Sequence, residues 1–231
     1  MTRSGAHLQP PTQIMTEEPW EDPVEEAVQA DAGRSGPTWE REGASPGSFL
    51  ATAKAVLLAP TSMFQSMRRE GGMGSPLLFA ACGGAIAIVA GTIYQCVFGM
   101  LSGSLAINEL IIGLVAAPVV MVILLFVGAC IHHLILMAMG CGQRGFETTF
   151  RVEAYTVGAT WLLGVIPLCG SILGIPWVIV CLIIGLAEAH EISRGKAAVA
   201  VLIPIVLCCL GMTLIVATTG MLAQHLAQHL G

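Results

Sequence analysis

Three clusters hold the side chains able to do acid–base or metal chemistry. The first is Cys130, His132 and His133, inside a long apolar run. An ionisable residue within hydrocarbon is a functional candidate by default, because its desolvation must be offset by a partner. Adjacent positions on a helix point about 100° apart. One metal is therefore poorly served by both His132 and His133: the pair reads first as neutral, hydrogen-bonded intramembrane polar groups, one facing the bundle and one the interface, and a metal or redox site with Cys130 is a third reading behind the two functions weighed below. The second cluster is Glu188, His190 and Glu191, followed by Ile192-Ser193-Arg194-Gly195-Lys196. Carboxylate and imidazole together can move protons, but a solvated loop is the simpler reading. The third is His225 and His229, four apart and so on one helix face, a spacing able to hold a metal weakly. The preferred reading there is an amphipathic tail seated through Leu222, Leu226 and Leu230. No catalytic residue, metal ligand or cofactor site is assigned from these clusters.

Missing patterns narrow the function further. No aspartate follows Asp31, which excludes an intramembrane aspartyl protease. No GxSxG accompanies a histidine in the apolar runs, and HExxH and GxxxxGK[ST] do not occur. No basic cluster is large enough for nucleic acid. An enzyme is not expected. The eight cysteines form no CxxC and lie in or beside apolar runs, where they read as small packing residues.

The elements that position these residues are read from hydropathy. The chain is 55% apolar and 11% charged, with a mean hydropathy of +0.79. Soluble domains carry roughly 25% charged residues. The deficit lies after Leu77, which predicts an all-α, polytopic membrane bundle. Five transmembrane helices are expected at about 77–101, 107–139, 154–168, 172–187 and 197–219, against the ~20 residues a span requires. The third and fourth are short and joined by Pro167-Leu168-Cys169-Gly170-Ser171, so they cross as a hairpin or only dip into the bilayer.

Residues 1–47 are expected to be a disordered, acidic cytosolic tail, with no cleavable signal peptide. Residues 1–48 hold nine acids against three bases, a net charge of −6. Anionic lipid repels such a tail. From Ser48 to Met67, Phe49, Leu50, Ala53, Val56 and Leu57 recur at helical spacing and predict interfacial amphipathic helices, the first ended by Pro60 and the second capped by Ser62. Gly71-Gly72-Met73-Gly74 reads as a hinge, and Pro76 suits a first helical turn. Residues 48–220 make the membrane domain and 221–231 a short amphipathic C-terminal tail.

All ten Lys and Arg fall on the N-terminal side of a five-span arrangement, which predicts a cytosolic N-terminus and an external C-terminus. Rows of small residues at Gly83, Ala87 and Gly91, at Gly113 and Ala117, and at Gly170 and Gly174 allow close helix approach. They read first as contacts inside the bundle and second as a homo-oligomer face.

The most polar stretch of the apolar region is Gly145–Tyr155. Phe146 and Phe150 make an apolar stripe, and Glu147 and Arg151 an ion-pair stripe beside it. Phe146, Glu147, Phe150, Arg151 and Tyr155, with Glu188 and His190, are the candidate docking residues for a membrane or cytosolic protein partner.

The order of several marks resembles the Yip1-domain membrane proteins, in wording closest to bacterial members. Pro60 and Phe64 lead to Gly71-Gly72 and Pro76-Leu77-Leu78-Phe79. Gly145-Phe146-Glu147-Thr148-Thr149-Phe150-Arg151 with Ala154-Tyr155 follows, then Ile166-Pro167-Leu168-Cys169-Gly170. Gly185-Leu186, Glu188, His190, Ile192, Ser193 and Gly195-Lys196-Ala197 close the series. The resemblance covers about Ser48–Thr219 and implies five spans with a cytosolic N-terminus. Eukaryotic relatives are associated with Rab GTPases and vesicle traffic, a setting that bacterial members lack. The expected function is a non-enzymatic scaffold or adaptor in a bacterial inner membrane, with the lipid bilayer as one partner. The alternative is a transporter of a small solute or lipid.

Overall fold

Ser45 starts the first long helix, and its side chain shows why. It accepts a hydrogen bond from the backbone N–H of Ser48, Ser48 answers on the backbone of Ser45, and Pro46 occupies the first helical position. Such a reciprocal cap is worth about 1 kcal/mol. The computed structural model describes residues 33–167 and 169–230; of 171, 222–227, 229 and 230 it describes the backbone alone. The tail up to Ala32, with Trp20, and the expected faces of His225 and His229 lie outside the described residues.

Every regular element among the described residues is a helix. A short α1 (Thr38–Arg41) precedes α2 (Pro46–Leu58) and α3 (Pro60–Ser66). Next come α4 (Gly74–Ser102), α5 (Ile107–Ala138) and α6 (Gly145–Thr160). A 3-10 segment (Trp161–Val165) leads to α7 (Cys169–His190) and α8 (Arg194–Leu230). Among the described residues, four helices are long and apolar enough to cross a membrane: Gly74–Ser102, Ile107–Ala138, Ile172–His190 and Arg194–Met221. The chain is an integral, multi-pass membrane protein.

The expected third span, 154–168, is not among the four. Its place is taken by the second half of α6 and the 3-10 segment. Thr148, Thr149, Arg151, Glu153, Thr156 and Thr160 make α6 polar, yet all six are buried. A helix polar on many faces is stable in this setting only where protein surrounds it, and α6 packs against α2, α4, α5 and α7. Hydropathy alone therefore missed that α6 is the centre of the bundle.

Other expectations are corrected by packing. The tail was expected to extend to residue 47, but Arg34–Glu40 is packed: Trp39 is buried against Phe49 and Phe79, at ring-centroid distances of 6.1 and 5.7 Å. Tyr155 extends this cluster, 5.1 Å from Phe79. Helix α2 turns Phe49, Ala53 and Val56 inward, while Leu50 and Leu58 are exposed. Pro60 opens α3 rather than only ending α2, and α3 has no side-chain cap. Helix α8 is continuous from Arg194 to Leu230, and the part of it long and apolar enough to cross a membrane ends at Met221, beside the expected start of the tail.

Two of the small-residue rows act inside the bundle: a Cβ at Gly170 would meet the backbone carbonyl of Leu163, and the Gly83 row is as close. A Cβ at Gly83 would lie 2.0 Å from the carbonyl oxygen of Gly158, so α4 and α6 touch backbone to backbone there. A Cβ at Gly91, in the same row, would meet nothing within 4 Å. Gly83→Ala is expected to lower stability by about 1–3 kcal/mol through overpacking. Gly91→Ala is expected to leave the detergent melting temperature unchanged, and parallel melts of the two variants check the contrast.

Candidate functional site

The polar centre of the molecule is built around Arg151 on α6. Its side chain is 1% exposed. Nε donates to the carbonyl of Arg68 at 2.7 Å and Nη1 to that of Gly72 at 2.8 Å. Nη2 pairs with the carboxylate of Glu40, itself 8% exposed. Tyr155, one helical turn beyond, donates its hydroxyl to the same Glu40 oxygen at 2.5 Å. Glu147, one turn before, lies 3.7 Å from Arg151 and accepts from the Gly72 N–H at 2.6 Å. Only a planar guanidinium presents donors in these three directions at once.

Around this centre the segment before the bundle is fastened at several points. Arg34 donates to the carbonyls of Phe64, Met67 and Glu188 at 2.9, 3.2 and 3.0 Å. The Gly36 N–H donates to Ser66 at 2.8 Å, and the Trp39 indole to the Ser75 carbonyl at 2.9 Å. Gly71 and Gly72, read from sequence as a hinge, sit at φ of 126° and 90°. Their backbone is part of the lock, since Gly72 both donates to Glu147 and accepts from Arg151.

A second polar group joins the ends of α5, α6 and α7. His133 Nδ1 and His190 Nε2 both lie 2.9 Å from the hydroxyl of Thr149. His132 takes a separate partner, with Nδ1 3.1 Å from Glu153. The two histidines thus serve different neighbours, as their angular separation requires, and Cys130 is exposed on another face. Among the described residues no group of three or more His, Cys, Asp or Glu is placed to hold a metal ion.

The third group lies in the α7–α8 loop. Glu191 accepts from Arg69, and from Arg144 at 2.5 Å, with Arg34 3.9 Å away. Partial burial disfavours the Glu191 charge, but the hydrogen bonds from Arg69 and Arg144 outweigh it and hold the carboxyl below its ordinary value. Glu188 pairs with Arg194 at 3.6 Å and accepts from Gln65 at 3.0 Å.

The docking candidates read from sequence fare differently. Phe150, Arg151, Tyr155 and His190 are buried and present no side chain to a partner. Phe146, Glu147 and Glu188 are partly exposed. Phe150 stacks on Phe126 at 4.6 Å and neighbours Phe146 at 6.2 Å, which makes the aromatic stripe a bundle contact. The Glu147–Arg151 pair is present, but Glu40 is the stronger partner. Sequence reasoning missed Glu40 because it is one acid among many in a polar tail. Its signal was position: Trp39, an aromatic with no solvent role, stands next to it, shortly before a capping serine.

Removing one partner of a buried ion pair leaves the other charge uncompensated, at a cost of about 3–5 kcal/mol. Glu40→Ala is expected to destabilise the protein by that order, and Glu40→Gln, which retains an acceptor oxygen, by less. Detergent melting curves of the two variants check the ordering.

The sequence model of the Yip1 domain matches residues 54–215. No curated protein and no solved structure gives a significant match. The match runs from within α2 into α8 and takes in α4 to α7, with Arg151, Thr149 and Glu191, while Arg34 and Glu40 lie outside it. With more than two-thirds of its length covered, the chain belongs to the Yip1 domain family.

Proposed function

We propose that this protein is a non-enzymatic membrane scaffold or adaptor that fixes an acidic cytosolic segment to a helical bundle. The observation that carries the reading is the buried Arg151–Glu40–Tyr155 group. It uses buried charges for internal attachment, and it fastens the segment around Glu40 to the bundle. The chain before Arg34 carries Glu17, Glu18, Glu21, Asp22, Glu25, Glu26 and Asp31 with no base between Arg3 and Arg34. Such a segment suits a basic protein surface and avoids anionic lipid.

The basic residues support an orientation with the N-terminus in the cytosol and the C-terminus outside, in a bacterial inner membrane. Arg34, Arg69 and Arg144 meet at Glu191, and Arg151 reaches the backbone at Arg68, so these bases gather at one end of the bundle. In this orientation α6 and the 3-10 segment enter from the cytosolic side and α7 returns.

Transport is the second reading. The His132–Glu153 pair lies beside a cavity of about 350 Å³ bordered by Gly128, His132, Pro204 and Cys208. Its lining is almost wholly apolar, which suits a lipid chain better than a polar solute.

The adaptor reading is tested by cross-linking in native membranes, followed by purification of the full chain. A stoichiometric protein partner is expected with the native sequence. Its yield is expected to fall at least about tenfold, the equivalent of 1.4 kcal/mol, when Glu17, Glu18, Glu21, Asp22, Glu25 and Glu26 become amides. Equal recovery from both proteins, or no partner from either, contradicts the adaptor reading. Saturable lipid flux in proteoliposomes under those conditions favours transport.

A further inference from the structure

Beside Glu191 lies an open cavity of about 240 Å³, bordered by Cys141, Gln143, Arg144, His190, Glu191 and Lys196. Its chemistry is cationic. Arg69 and Arg144 both bind the single carboxylate of Glu191. Lys196 is exposed and has no ion-pair partner among the described residues. Two buried nitrogens lack any partner: Nδ1 of His190, which borders the cavity, and Nη1 of Arg69, which does not border it but whose Nη2 binds Glu191; the two residues are 5% and 4% exposed. Leaving buried donors unsatisfied is costly, at about 1–3 kcal/mol each, and native structures seldom do so without a reason.

One of the two tautomers of neutral His190 leaves Nδ1 as a free donor. If His133 donates to Thr149 and Thr149 donates on to Nε2 of His190, the remaining proton of His190 sits at Nδ1. That nitrogen is then a donor without an acceptor. Arg69 is fixed by the bond from its Nε to the Ala189 carbonyl at 3.0 Å, so its unused Nη1 is held in place as well.

Glu191 itself is unusual. It is the one non-glycine residue among the described residues with positive φ, at 56°. This left-handed backbone closes the end of α7, with the Ile192 N–H donating to the Ala187 carbonyl at 3.0 Å. The side chain is 52% exposed, so the carboxylate occupies the basic group from the solvent side. It holds the place that a stronger oxyanion would take.

We infer that Arg69, Arg144, His190 and Lys196 form a binding site for a phosphate-bearing anion, with the Glu191 carboxylate as an internal competitor that swings out when the anion enters. A phosphate offers three or four acceptor oxygens where a carboxylate offers two, enough to reach both arginines and the unpartnered nitrogens. The site lies where α5 and α7 end and α8 begins, at the edge of three apolar helices. This places it at headgroup depth, within reach of an anionic phospholipid and of phosphate free in solution. The inference stands apart from the adaptor reading, because it concerns the loops between spans and not the acidic segment.

The test uses the full chain in lipid-free detergent, with phosphatidylglycerol and inorganic phosphate as separate probes. Native mass spectrometry reads lipid retained, and thermal melts against sodium phosphate, with sodium chloride at matched ionic strength, read free anion. Native protein is expected to retain phosphatidylglycerol over phosphatidylcholine. Lys196→Gln, which breaks no bond in the fold, is expected to weaken retention about fivefold, the size of one cation's contribution at a membrane surface. Glu191→Gln removes the competitor and is expected to strengthen it by a similar factor, a direction that mere loss of structure does not produce. Saturable stabilisation by phosphate, shifted in opposite directions by the same two variants and without lipid preference, assigns the site to free phosphate. Retention and melting unchanged across all three proteins overturn the inference.

Discussion

A guanidinium group cannot lie in a protein interior without acceptors around it. The idealised transfer of such a charge from water to a low-dielectric medium costs on the order of 20 kcal/mol, and several kcal/mol after relaxation. Arg151 is buried on α6 and meets this demand with two carbonyls and two carboxylates, all supplied by other elements or by its own helix. Each acceptor is thereby held in position. The linker between α3 and α4, the segment around Glu40 and the first turns of α6 converge because one charge requires them to.

The same constraint explains the unusual character of α6. Lipid offers no hydrogen bonds, so a helix with this many polar groups needs neighbours on most sides. Threonine hydroxyls bond back to carbonyls one turn earlier, as Thr148 and Thr160 do, or across to histidines, as Thr149 does. Glycine provides the remaining contact, with Gly83 and Gly158 letting α4 and α6 meet at their backbones. Close packing here replaces the hydrophobic effect, which does little between helices surrounded by hydrocarbon. The outer helices are correspondingly simple: α5 and α8 are apolar and exposed over most of their length.

The helical class and four of the spans were legible because hydropathy is a one-dimensional property. The family was legible from the order of Pro60, Gly71-Gly72, Gly145–Arg151 and Gly185–Lys196. What was not legible required knowledge of partners. Glu40 and Arg151 are 111 residues apart, and no local pattern joins them. Arg151 and Phe150 read as surface groups because an amphipathic pattern shows that two faces differ, not that both are covered. His132 and His133 were separated correctly by helical geometry, whereas Thr149, which connects His133 to His190, has no signature of its own. The expected third span is not confirmed as a crossing for the same reason: 154–168 read as a short apolar run, when its first half, with Thr156 and Thr160, is enclosed by protein.

The central claim is that Arg151 pins the segment before the bundle onto its membrane domain. Hydrogen exchange of the intact protein in nanodiscs reads this directly at the amides of Gly36, Trp39, Glu40 and Arg41, which are bonded in the fold to Ser66, Thr52 and Pro37. The account predicts slow exchange at these amides in the native protein. It predicts fast exchange there in Arg151→Gln, with protection kept along α5. Fast exchange at the same amides in the native protein, or unchanged protection in the variant, contradicts it.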